Sequence, residues 1–255
     1  MKNIKIQIYG NIADSLPDGV TWASIAYEDE FAVRERLTGK LLEDSPDLCL
    51  EIHTRPYYAY LMRKEVPKAV YFCNFPGGYF HNEALLDLYD FVFYDNIIGE
   101  NYSRFHSNCC FLPHWMPDAF LSGTGMQGKR NSNELLGVVT NAACSKTWEF
   151  KEVQAILMKY KALNGSWFLG EPGTHGVPIF LGVCFKADSV YVASDSSFFD
   201  LGREIGTGVF VRDKHPFKIV DEQKDKKFRQ KKIIEKHLFC RRVEQILSFC
   251  FPDRK

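Results

Sequence analysis

The stretch Pro46-Asp47-Leu48-Cys49-Leu50-Glu51-Ile52-His53-Thr54-Arg55-Pro56 carries the reading on which the fold turns. Leu48–His53 is almost continuously apolar and then gives way to polar residues, and Pro56 suits the first turn of a following helix. A strand exposed on one face would alternate, whereas a strand of a parallel sheet covered on both faces need not. Similar runs recur at Ile4–Tyr9, Ala69–Asn74, Phe91–Asp95 and Cys110–Pro113. Between them lie segments of helical length, Glu30–Leu42, Tyr57–Glu65, Glu83–Tyr89 and Ile97–His106. Strands alternating with helices predict βαβ units and a doubly wound parallel sheet.

Moving toward the C-terminus, residues 121–134 (Leu-Ser-Gly-Thr-Gly-Met-Gln-Gly-Lys-Arg-Asn-Ser-Asn-Glu) are poor in apolar anchors and read as a linker. The pattern then restarts. Strands are predicted at Leu135–Thr140, Ser166–Leu169, Ile179–Cys184, Ser189–Ala193 and Gly208–Val211, with a helix over about 147–161. Near the end, Ile234, Leu238, Val243, Ile246, Leu247 and Cys250 recur at helical spacing, with Lys231, Lys232, Lys236, Arg241 and Arg242 turned outward. The expected fold class is therefore α/β, two Rossmann-like doubly wound domains facing across a cleft. The first spans 1–120, the linker 121–134, and the second 135–255 with its terminal amphipathic helix.

Composition sets the class of partner. With 255 residues, 45% hydrophobic and 25% charged, the chain needs neither disulfide nor metal to build a core. The N-terminus alternates polar and apolar residues and lacks the apolar block of a signal peptide, and no run reaches membrane-spanning length. Most of the eight cysteines sit in apolar runs, without a CxxC pair or metal-ligand spacing, so reduced thiols in a cytoplasmic protein are expected. Net charge is zero, yet residues 1–100 carry 9 basic against 16 acidic groups and residues 212–255 carry 14 against 7. The basic end either meets an anionic membrane surface or a phosphate-bearing ligand, or is a solvated face complementing the acidic half. Nucleic acid is not an expected partner.

Candidate functional residues follow from strand ends, because ligands of doubly wound sheets bind at the carboxyl edge. His53 and Arg55 fall in a βα loop, the first able to act as general base, the second to hold a carboxylate or phosphate. Equally, they are a backbone-bonded histidine and a surface cation. Asn74 ends the next strand before Gly77-Gly78. In the second half, Thr140 and Asn141 lead through Lys146 into a helix whose free N–H groups attract phosphate. Glu171 and Gly176 lie in the segment Gly170-Glu171-Pro172-Gly173-Thr174-His175-Gly176-Val177-Pro178, where backbone can approach a sugar. Ser194 and Asp195 join a strand to a helix, where capping alone accounts for them. No phosphate-loop, dinucleotide, zinc-protease or serine-hydrolase motif is present, and no metal site is expected.

The segments 46–56 and Pro67–Asn74, continued by Leu88–Tyr94 and Phe111–Trp115, resemble the N-terminal domain of family 4 glycosyltransferases of the GT-B fold. Glu171–Pro178 is similar to that family's donor stretch, Phe185–Val192 to a strand entry, and Asp200–Val211 to its closing strand. The resemblance implies metal-independent transfer of a sugar from a nucleotide-sugar to a hydroxyl of a glycan or lipid-linked acceptor, with no bound cofactor. It implies that Thr140, Asn141, Lys146, Glu171, Gly176, Ser194 and Asp195 serve the donor, and His53, Arg55 and Asn74 the acceptor. Each half is short for the family, and Ile179 stands where a second glutamate would follow Glu171. These departures motivate two other readings: a non-catalytic GT-B-like module or partner-dependent subunit, and an unrelated two-domain enzyme such as an epimerase or phosphatase.

Overall fold

The computed structural model describes residues 3–10, 12–27, 37–53, 62–72, 86–95, 104, 106–121, 138–139, 163–168, 176–196, 198–211 and 218–253. The chain divides into two compact units, Met1–His114 with Arg242–Lys255, and Trp115–Arg241. The expected linker lies outside the described residues beyond Leu121.

The first unit is built on a seven-stranded sheet ordered β3-β2-β1-β4-β5-β6-β7. These strands are β1 Ile4–Tyr9, β2 Val20–Tyr27, β3 Leu37–Gly39, β4 Leu48–His53, β5 Lys68–Phe72, β6 Phe91–Tyr94 and β7 Cys109–Phe111. All neighbours pair in parallel except β2 and β3. The β-branched Ile4, Ile6 and Ile8 fix β1, an interior strand, and all three are buried. Tyr9, Cys49, Val70, Phe72, Val92 and Tyr94 pack with Met62, Val66, Leu86 and Tyr89 into one core. Phe91 and Phe93 meet the ring of Phe249 edge-on, with centroids 6.1 and 5.4 Å away. That phenylalanine belongs to the last helix, so the end of the chain covers part of the first sheet.

Two expectations fail on this sheet. Leu37–Gly39 was expected within a helix over Glu30–Leu42, yet it runs antiparallel to β2. Gln7 secures the chain that follows β3: its buried amide donates to Lys40 O at 3.3 Å and accepts from Leu42 N at 2.7 Å. Second, Met62–Glu65 forms a bend and turn rather than the end of a helix over Tyr57–Glu65. Of the helix expected at Glu83–Tyr89, residues 86–89 are described: Leu86 is helical and Asp87-Leu88 form a turn. Most of those expected at Tyr57–Glu65 and Ile97–His106, and all of 147–161, lie outside the described residues.

The second unit holds a five-stranded sheet ordered β12-β11-β10-β9-β8: β8 Val138–Val139, β9 Leu163–Phe168, β10 Ala187–Ala193, β11 Gly208–Val211 and β12 Lys218–Asp221. All pairs are parallel but β11/β12. The strands follow one another in sequence order, so the described part of this sheet lacks the reversal of a doubly wound sheet, contrary to expectation. Its helices are α1 Gly176–Lys186, α2 Phe199–Ile205 and α3 Lys226–Lys236, and α4 Phe239–Cys250 begins here and passes into the first unit at Arg242.

The sequence placed a strand at Ile179–Cys184, but that run is the middle of α1. Phe180, Leu181, Val183 and Cys184 are all buried against Val190, Val192, Val209 and Ile233, so the helix has little polar face to betray its period. Pro178 is tolerated because it sits in the first turn. The strand-like reading of Asp200–Val211 is corrected likewise, since α2 occupies its first half. Gly206 ends α2 at φ 88°, its N–H donating to Gly202 O and Arg203 O, a left-handed cap that suits glycine. At the other end the N-cap is Phe198, not Ser194 or Asp195, and Ser196 Oγ accepts from Phe198 N at 3.2 Å.

The single terminal helix expected from the sequence is two, α3 and α4, separated at His237-Leu238. The break reverses two assignments. Ile234 is 42% exposed, and Arg242 is buried, donating to Gln245 Oε1 at 2.9 Å and to His114 O at 3.5 Å.

Candidate functional site

A parallel sheet whose strand order reverses leaves a crevice where the chain departs in opposite directions from adjacent strands. In the first unit this reversal falls between β1 and β4, where Tyr9 stands opposite Glu51 in register. Gly10 follows β1 at φ 137°, its N–H donating to Ile25 O at 2.9 Å. A Cβ there would lie 2.5 Å from Ile52 O, so the turn rests directly against the end of β4. His53 is the last residue of β4, paired with Phe72 at the end of β5. Tyr94 and Asp95, the latter mostly buried, mark the same edge on β6.

Below this edge a polar chain, to which the sequence reading gave no role, runs from Glu51 of β4 to Tyr89 and His106, which precede β6 and β7 at the amino edge. Glu51 is fully buried, and its Oε2 accepts from Tyr89 Oη at 2.5 Å. His106 Nε2 lies 2.9 Å from Tyr89 O, so an N–H on that nitrogen donates to the backbone of the same tyrosine. Burial raises the phenol of Tyr9 above its usual range, with neighbouring Cys49 and Glu51 adding to the effect. Burial raises the Cys49 thiol as well. Tyr9 and Cys49 are therefore protonated at neutral pH, and the edge rests on neutral donors around one carboxyl group. One signal was legible: a glutamate inside Leu-Cys-Leu-Glu-Ile is a charged residue in a strand with no exposed face.

The structure places four of the ten sequence-derived site residues. His53 ends β4 in the first unit, and Gly176 is the first residue of α1 in the second. Ser194 and Asp195 are exposed in the turn after β10, where Ser194 N donates to Phe210 O at 2.9 Å. Arg55, Asn74, Thr140, Asn141, Lys146 and Glu171 lie outside the described residues. Among the described residues, no three His, Cys, Asp or Glu side chains converge in a way that would hold a metal ion.

Two buried cations of the second unit went unread. Arg229 is fully buried and uses all five N–H groups: on Cys184 O, Ala187 O, Asp188 O and Lys224 O, and on Gln223 Oε1, at 2.6 to 3.3 Å. Lys186, 2% exposed at the end of α1, has its pKa lowered to about 8 by burial. A cleft of about 290 Å³, lined by Arg203, Thr207, Glu222, Lys224 and Phe228 among others, opens beside the amino end of β11. Parallel sheets bind ligands at the opposite edge, so this cleft does not coincide with the expected donor site.

No protein-family model, curated protein or solved structure matches this chain.

Proposed function

We propose that this protein is a nucleotide-sugar-dependent glycosyltransferase, working without a catalytic metal on a hydroxyl acceptor of glycan or lipid-linked type. The observation that carries the reading is the strand reversal between β1 and β4, which sets Gly10 against Ile52, one residue before His53, at the carboxyl edge of a parallel sheet. The sequence resemblance to GT-B glycosyltransferases, which rests on the segments around this edge, supports it. His53, with Arg55 and Asn74 further along the chain, serves the acceptor. His53 takes the hydroxyl proton as the acceptor oxygen bonds to the anomeric carbon and the bond from that carbon to the diphosphate breaks. Lys146 and its neighbours in 140–147 offset the charge on the departing diphosphate. Glu171, Gly176, Ser194 and Asp195 hold the donor sugar or ribose.

Titration of the protein with UDP, GDP and ADP tests the assignment of the donor half. One nucleotide binds, and Lys146→Ala weakens that binding at least about tenfold, as loss of a charged hydrogen bond requires, with an unchanged melting temperature. Unchanged affinity in the variant removes Lys146 from the site. A second reading, a non-catalytic module, draws support from the sequential strand order of the second sheet, which offers no reversal crevice among its described strands.

A further inference from the structure

The cleft beside the amino end of β11, about 290 Å³ in volume, is lined by Arg203 of α2 and by Asp221, Glu222, Lys224 and Phe228, which run from β12 into α3. Hydrogen bonds fix its backbone. Gly206 O accepts from Lys224 N at 2.9 Å, and Lys224 O accepts from Arg229 Nη1 at 2.6 Å. Gln223 Oε1 accepts from Val190 N, and Asp225 Oδ1 from Phe228 N, both at 2.8 Å. The side chains of the lining are not tied down in the same way. Among the described residues, Arg203, Asp221 and Lys224 make no ion pair, so charges of both signs face one opening without closing on each other. Glu222 Oε2 accepts from Tyr191 Oη at 3.2 Å. Thr207 is the buried polar member of the lining, 3% exposed, and its Oγ1 has no hydrogen-bond partner among the described residues. A buried hydroxyl left unsatisfied is uncommon and calls for a partner from outside the chain.

We propose that this cleft binds a free α-amino acid. Its carboxylate meets Arg203, Lys224 and the Thr207 hydroxyl, its ammonium meets Asp221 and Glu222, and an apolar side chain lies on Phe228. Charge and volume choose the ligand. A purely anionic ligand would bring its charge against two carboxylates, and a polyamine would bring its charge against two cations. A zwitterion satisfies both signs. Small-molecule sites span about 300–1,000 Å³, so a cleft at the lower limit suits a molecule of amino-acid size and not a nucleotide-sugar. The site uses none of the donor or acceptor residues and stands apart from the glycosyltransferase reading.

Isothermal titration of the full chain with L-leucine and L-phenylalanine tests it. Whichever binds more tightly should do so at least about tenfold better than its N-acetyl and amide derivatives, each of which lacks one of the two charges. Arg203→Gln and Asp221→Asn should each weaken that binding at least about tenfold. Both side chains are exposed, so these variants keep the parent's melting temperature. Thr207→Val should weaken binding too, yet raise the melting temperature of the free protein by removing a hydroxyl that has no partner. Binding of neither amino acid, derivatives that bind as well as the parent compound, or an Arg203→Gln or Asp221→Asn protein that binds like the parent overturns the proposal. So does binding of inorganic phosphate or spermidine without binding of either amino acid.

Discussion

Lys186 sets a charge in a buried place: it is the last residue of α1, a helix otherwise almost wholly apolar, and is 2% exposed. Below about pH 8 it is protonated in both folded and unfolded chains, and the full cost of burying the ammonium is present. Between about 8 and the ordinary lysine value near 10.4 the unfolded chain holds more protons than the folded one, so stability rises with pH across that window. The raised thiols of Cys109, Cys184 and Cys250 act in the opposite direction at alkaline pH, so the contribution of Lys186 is read as a difference between variant and parent. Lys186→Met should be more stable than the parent at pH 7, by on the order of 2–3 kcal/mol, with the gain fading by about pH 10.5. Urea denaturation at a series of pH values measures it, and a pH-independent difference would count against a buried ammonium. At this scale the sequence is only partly legible. Glu51 stands out inside an apolar strand, whereas nothing local to Arg229 or Arg242 says that one lysine-rich stretch hides a buried guanidinium.

Elements were legible where local pattern and tertiary demand agree. The bounds of β1, β4 and β11 are those read from the sequence, because a β-branched or apolar run closed by a turn leaves little choice. Helix α1 was misread for a physical reason: buried on nearly every side, it shows the continuous apolar character of a core strand. What closes it is Arg229. Two carbonyls of its last turn, Cys184 O and Phe185 O, find donors in Arg229 Nε and Gln230 Nε2, at 3.3 and 2.9 Å. The same guanidinium continues to Ala187 O and Asp188 O at the start of β10, so one residue of α3 fixes the passage from helix to strand. Arg229→Met leaves those acceptors buried without it and should cost at least about 3 kcal/mol. Arg229→Lys should not rescue the loss, since an ammonium cannot match a planar five-donor fork. Chemical denaturation reads both variants, and a cost below about 1 kcal/mol in either shows that the carbonyls find other partners.

At the scale of the whole molecule, the α/β class and the parallel sheets follow from the alternation of strands with helix-length segments. The passage of α4 between units was not legible, because its amphipathic period names a buried face without saying which sheet buries it. Phe249 answers that question for the first sheet by packing on Phe91 and Phe93. The place of His53 at the end of β4 was legible, whereas the Glu51–Tyr89 pair was not, its partners being 38 residues apart. The proposed glycosyl transfer requires that this protein activate a nucleotide-sugar. Incubating it with UDP-, GDP- and ADP-sugars in the absence of acceptor, and following release of the nucleoside diphosphate, tests that claim most directly. Slow, metal-independent hydrolysis of one donor, reduced in Lys146→Ala, is the expected result. No release from any donor, by folded protein that still binds a nucleotide, would contradict transfer and leave a binding module.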